Sequence, residues 1–124
     1  MSAWTDDELE AIGGADELRI ASRRPDGGLR KFIRIWVVRV GDALYVRSAY
    51  GYDNPWFQRA IRAGEGRIRA GGVERDVAFE QPDRSRDADV TAAYHAKYDR
   101  YGPGIVGTVV SAEAERSTLR LVPG

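Results

Sequence analysis

The chain has 124 residues, 43% of them hydrophobic, and its 19 basic side chains balance 19 acidic ones. That length suits one domain, residues 1–124. With no cysteine and a single histidine, His95, the sequence excludes disulfides, thiol nucleophiles and multi-histidine metal sites. Net neutrality argues against a nucleic-acid partner, whose phosphates call for a cationic surplus. No apolar run approaches 18 residues, which argues against a membrane, and the acidic opening MSAWTDDELE is unlike a secretion signal. The expected localisation is cytoplasmic. All basic residues except Lys31 and Lys97 are arginine, the side chain suited to bidentate phosphate or carboxylate contacts, although coding bias in a GC-rich genome enriches arginine too.

In chain order, Thr5 with Glu8 forms a capping box, Trp4 with Leu9 a hydrophobic staple, and Gly13-Gly14 ends the short helix between them. Leu18, Ile20 and Ser22 then alternate with Arg19, Ala21 and Arg23, the period of a strand. Pro25 to Gly28 is a turn, because proline presets one backbone angle and glycine accepts a positive one. Phe32–Val40 reads as one strand that is apolar on both sides. Phe32, Trp36, Val38 and Val40 share a face with Arg34; Ile33, Ile35 and Val37 take the other. Arg34 in that company either meets a carboxylate or a ligand, or escapes through a bulge.

Gly41-Asp42 turns the chain into a strand over Ala43–Ser48. Pro55 opens a helix to Arg62 that Asp53 or Asn54 caps. Gly71-Gly72 joins strands Arg67–Ala70 and Val73–Glu80 as a hairpin. A helix starts at Asp87 or Asp89 and runs to about Arg100, where Gly102 and Pro103 stop it; Ile105–Ser111 and Ser117–Val122 are the last strands. The sum is a mostly β, α+β fold: a small antiparallel split β-barrel of six to seven strands with about three helices packed outside.

Two stretches carry candidate chemistry. In YVRSAYGYDNPWFQRAI, residues 45–61, a strand ends and a helix begins around Arg47, Ser48, Tyr50, Gly51 and Trp56. A helix start attracts phosphate, a guanidinium adds a fork of donors, and an aromatic ring stacks on a flat ligand. The competing reading makes Trp56 core, Ser48 a cap and Arg47 the partner of an acid such as Glu80. In SRRPDGGLRK, residues 22–31, Arg23, Arg24, Arg30 and Lys31 surround one hairpin, and Gly27 lets the backbone approach an anion. Here the competing reading is an exposed, charged hairpin tip. His95 is expected on a polar helix face, and no serine sits in a nucleophile elbow. Glu74, Asp76 and Glu80 fall on one outward strand face, as solvated residues do.

The run RRPDGGLR, FIRIWVVRV, ALYVRS, a glycine and then Pro55-Trp56 resembles the deazaflavin-dependent nitroreductase-like branch of the FMN-binding split-barrel superfamily, over about residues 19–80. Nearly the whole chain, with WVVRVGDALYVRS, AGG and AYHAKY, resembles an uncharacterised bacterial domain-of-unknown-function family related to it. The resemblance implies FMN or a deazaflavin in a groove of the barrel, with no metal, in a homodimer that transfers hydride or electrons to a small organic acceptor. It implies that Arg23, Arg24, Gly27, Arg30 and Lys31 hold the cofactor's phosphate together with the helix start. Ser48 and Gly51 would contact the ring or its chain, Trp56 would pack near it, and Tyr50 would serve the substrate; Arg47 stands as the guanidinium fork beside the helix start. Which residues are catalytic is left open. The alternative is a cofactor-free small-anion-binding or protein-interaction domain on the same barrel.

Overall fold

Thr5 caps the first helix, α1 (Asp6–Gly13): its hydroxyl accepts from the Glu8 amide, and Glu8 accepts from the Thr5 amide in return. Trp4 is buried beside it and donates its indole N–H to the Leu121 carbonyl, tying this end of the chain to the last strand. The structure, a computed structural model, describes residues 3–49 and 51–124. Within them lie seven strands: β1 (Leu18–Ser22), β2 (Ile33–Ile35), β3 (Val37–Val40), β4 (Ala43–Val46), β5 (Glu65–Ala70), β6 (Val73–Glu80) and β7 (Leu119–Pro123). The further helices are α2 (Pro55–Ala63), α3 (Asp87–Tyr98), α4 (Pro103–Val110) and α5 (Ala112–Glu115).

Every strand pairs antiparallel with its neighbours, in the order β2-β1-β5-β6-β7-β4-β3. The two edge strands, β2 and β3, are consecutive in the chain with only Trp36 between them. The sheet therefore curls until its two edges meet in one stretch of backbone, a nearly closed barrel. Phe32–Val40 is thus two strands and not the single strand expected. The break has a visible cause. Trp36 stacks on Tyr98 of α3, ring centroids 3.9 Å apart and 4° from parallel. The Val37 amide donates to the Tyr98 hydroxyl at 3.2 Å, and the Val37 carbonyl accepts from Lys97 Nζ at 2.7 Å. The Tyr98 hydroxyl also reaches the Asp16 carbonyl at 2.8 Å.

The both-faces expectation for this segment holds. Val37, Leu44 and Val46 belong to a core shared with α1, α2 and the barrel interior. Val38, Ala43 and Tyr45 belong to a second core with Val90, Tyr94, Tyr98, Val106 and Val109 of α3 and α4. Each such aliphatic side chain, fully buried, stabilises the fold by about 1.5–3 kcal/mol. Arg34 is exposed and lies 3.7 Å from Glu17, so it takes the solvent route and not a buried partner. Glu74 and Asp76 face outward as expected, paired with Arg67, Arg69 and Arg23.

One expected strand is a helix. Of the expected strand Ile105–Ser111, all but Ser111 lies in α4, which Pro103 opens at its first turn; Ser111 ends it and caps α5, where its hydroxyl accepts from the Ala114 amide. Val106 and Val109, three residues apart, bury against the second core. That is the helical period, and it outweighs the β-branched composition of the run. With α4 and α5 there are five α-helices among the described residues, not three.

Burial lowers the pKa of Lys97 to about 8, against the pull of Asp16 and with help from Arg100. Below that pH both folded and unfolded chains hold the proton, and the full cost of burying the charge is present. Between about 8 and the ordinary value of 10.5 the unfolded chain still binds a proton that the native state has shed, so stability rises with pH. Burial raises the hydroxyls of Tyr94 and Tyr98 above their usual value of 10, which makes stability fall again at higher pH. Lys97→Met is expected to remove the rise between pH 8 and 10 in urea-unfolding free energies. An unchanged rise would show that this lysine does not carry it.

Candidate functional site

Three spaces follow one another along α2. The first is a slot of about 460 Å³ at the seam of the barrel. Ile33, Ile35 and Trp36 come from the split strand, Ala49 follows β4, Trp56 stands in the first turn of α2, and Ile105, Thr108 and Val109 come from α4. Two tryptophans and five aliphatic side chains make the slot largely apolar, with Arg34, Arg47, Asn54 and Thr108 as its polar lining. Trp56 is half-buried, edge-on to Phe57 at 5.9 Å, which fixes its ring against the core while one side borders the slot.

The second space is a neck of about 40 Å³ that shares Ile33 and Trp56 with the slot and adds Ser22, Arg30, Lys31 and Arg59. The third is a basin of about 370 Å³ ringed by Arg23, Arg24, Arg30, Arg59 and Arg62, with Glu65 as its carboxylate. The hairpin builds one bank. The Gly28 amide donates to Asp26 Oδ1, Gly27 takes φ +89°, and the Arg30 amide donates to the Ser22 carbonyl, so Arg30 returns to the side of Arg23. The Gly28 amide, with Arg24 beside it, lowers the pKa of Asp26. α2 builds the other bank: Arg59 and Arg62, three residues apart, project from the same face.

These arginines are not equally free. Arg23 is bonded to Asp76 at 3.1 Å and to the Gly27 carbonyl at 3.1 Å, and Arg24 lies 3.5 Å from Asp26. Arg30, Lys31, Arg59 and Arg62 have no ion pair among the described residues. The Nε–H of Arg30 is buried and has no hydrogen-bond partner there. A buried donor without an acceptor costs on the order of 1–3 kcal/mol.

The expected site residues thus divide. Arg23, Arg24, Arg30 and Lys31 gather around the basin and neck, and Trp56 joins neck to slot. Gly27 shapes the hairpin. Arg47 is a strut: it is 1% exposed and contributes only to the slot's floor. Its guanidinium donates to Thr118 Oγ1, Thr91 Oγ1 and the carbonyls of Val109 and Asp87, at 2.8–3.0 Å. No bond to Glu80 is among them. Ser48 is buried, its amide donating to Ser117 Oγ, and Gly51, at φ +103°, packs where a Cβ would stand 3.1 Å from Glu113 Cβ. Neither borders the slot. Tyr50 lies outside the described residues. Arg30 and Lys31 of the hairpin share the neck with Trp56 of the first turn of α2, whereas Arg23 and Arg24 line the basin with Arg62 and Ala63 of its last turn. Asn54 is the N-cap of α2, yet its side chain donates to the Ala49 carbonyl and caps nothing.

The slot residues of β2 and α4, and Arg59 and Arg62, were not singled out from the sequence. Arg59 and Arg62 alternate with the buried Phe57 and Ala60 at helical spacing, which was the available signal. His95 is exposed and faces Asp99 at 2.8 Å, away from all three spaces. Among the described residues no three His, Cys, Asp or Glu side chains cluster as a metal site, and no helix is long and apolar enough to cross a membrane.

A family model for an uncharacterized protein conserved in bacteria, DUF2255, matches residues 8–121. No curated protein matches the chain. Among solved structures, HutZ, the heme storage protein from Vibrio cholerae, is 14% identical with a TM-score of 0.64, over 96% of this chain and 89% of that one. A FAD-binding protein from Mesorhizobium loti is 12% identical with a TM-score of 0.54, over 98% and 91%. An F420 reductase is 13% identical with a TM-score of 0.53, over 92% and 90%. At these identities the likeness is one of fold.

Arg47→Lys is expected to destabilise the protein by about 2 kcal/mol or more, because an ammonium cannot reach all four oxygens and leaves buried acceptors unpaired. Urea unfolding measures it; a loss under about 0.5 kcal/mol would remove Arg47 as the strut.

Proposed function

The chain belongs to the DUF2255 family of bacterial proteins, and we propose that this member binds FMN or a deazaflavin and acts as an oxidoreductase on a small organic molecule. The observation that carries the reading is the adjacency of a largely apolar slot with two tryptophans to a neck lined by Arg30, Lys31 and Arg59, none of which has an ion pair among the described residues. The residues fit such a group. Trp36, Trp56, Ile33 and Ile35 suit its ring, and Arg30, Lys31 and Arg59 suit its anionic end, with Arg23 and Arg24 behind them. The fold neighbours that bind FAD or act as an F420 reductase support a flavin or deazaflavin as the class. Haem suits the slot less well: no described lining residue is His, Cys, Met or Tyr, the side chains that ligate its iron.

When bound, the cofactor supplies the hydride or electron transfer; the protein binds and orients it and limits its contact with water. The chain works as one split-barrel domain in the cytoplasm, on small molecules and not on nucleic acid or membranes. A second copy covers the open side of the slot, where Ile105 of α4 is 50% exposed. The same basin also supports a second reading, a cofactor-free small-anion-binding domain, since its arginines stand whether or not a ring enters the slot.

Titration with FMN, FAD or F420 is expected to quench the emission of Trp36 and Trp56 with a micromolar or lower Kd for at least one of them. Arg30→Gln should weaken FMN by roughly 10- to 100-fold, the loss of one charged hydrogen bond at about 1.5–3 kcal/mol, and leave riboflavin within about threefold. No quenching by any of the three at 100-fold excess favours the anion-binding reading.

A further inference from the structure

The basin is larger than a single phosphate uses. The neck, at about 40 Å³, is small beside the basin's 370 Å³ and holds no more than one anionic group. An anion seated there meets Arg30, Lys31 and Arg59. Beyond it the 370 Å³ basin remains, with Arg62 unpaired and Arg23 and Arg24 only partly engaged by Asp76 and Asp26. Arg30 and Arg59 line both spaces, so they lie between two adjoining positions for negative charge.

We infer that the basin is a second anion subsite, so that the preferred ligand carries two anionic groups in series, a diphosphate or a pair of carboxylates, and not one phosphate. For the identity of the group in the slot this rests on the flavin-type reading above; the subsite itself rests on the basin alone. Arg62 belongs to the subsite and not to the neck. It is exposed, on the last turn of α2, with no side-chain partner among the described residues, so its substitution leaves the packing of the helix intact.

The test compares inorganic phosphate with inorganic pyrophosphate by calorimetry at low ionic strength, and FMN with FAD by tryptophan quenching. Pyrophosphate is expected to bind at least tenfold more tightly than phosphate, with a steeper loss of affinity on adding salt. Arg62→Ser is expected to cut pyrophosphate affinity at least fivefold and phosphate affinity less than twofold. Pyrophosphate and phosphate binding within twofold of each other, or an Arg62→Ser effect equal on both, overturns the inference. FMN binding without a pyrophosphate preference overturns it while the flavin-type reading survives. A pyrophosphate preference with no quenching by FMN, FAD or F420 upholds the subsite and removes the flavin-type reading instead. Tighter FAD than FMN binding assigns the second anion to a nucleotide diphosphate; a preference for F420 over both assigns it to a carboxylate-bearing tail.

Discussion

The stack of Trp36 on Tyr98 is the contact on which the rest of the molecule turns. A strand that stayed straight through Trp36 would lie along one edge of the sheet and leave the other unpaired, a row of bare amides and carbonyls. Because α3 grips the backbone at Val37 through the Tyr98 hydroxyl and Lys97, the segment bends and serves both edges. Closure therefore comes from a helix outside the sheet and not from a hydrogen-bonded pair within it. Tyr98 accomplishes this from a fully buried position, its ring in the second core and its hydroxyl at the joint.

The same bend makes the slot. Ile33, Ile35 and Trp36 line it only because β2 departs from β3 at this point, and the gap between the diverging strands is left for α4 to wall. Arg47 then ties α4 and α3 to the barrel through the Val109 and Asp87 carbonyls and the Thr91 hydroxyl. Burial lowers its pKa, yet four short bonds to oxygen offset part of the desolvation cost, and the Tyr94 ring lies 5.5 Å beneath its charge. A guanidinium suits this task because its planar fork addresses several acceptors at once. Closure, slot and strut are thus consequences of one distortion in one strand.

What the sequence made legible follows from range. The hairpins at Gly41-Asp42 and Gly71-Gly72, the capping box of α1 and the two-sided burial of Val37 and Val38 are decided by residues near one another, and alternation or turn chemistry exposes them. The run Ile105–Val110 was misread because its composition favours strands. The decision was made by Pro103, by Ser111, and by a place for Val106 and Val109 against α3, all of which depend on tertiary context. Trp36 gave no local sign that it would break its strand, since the cause sits 62 positions later at Tyr98. The arginines of the hairpin were legible as a group, whereas Arg59 and Arg62 joined them only once α2 was laid alongside. Arg47 was legible as exceptional but not as internal, because residue type cannot tell an anion in a groove from a ring of carbonyls in a core.

The direction of α2 sets what the cationic end can discriminate. A helix start would bind an anion with backbone amides and a favourable dipole, contacts that add little to distinguish one anion from a longer one. Here the arginines gather toward the other end, near Ala63 and Glu65, where the dipole opposes negative charge. Binding there falls to guanidinium side chains, which must outweigh both the carbonyl end of the helix and Glu65. Such a site gains with each added negative charge and offers little to a neutral tail. The apolar slot would recognise the shape of a ring, and the basin, some distance along the helix, would recognise how much charge the ring carries behind it.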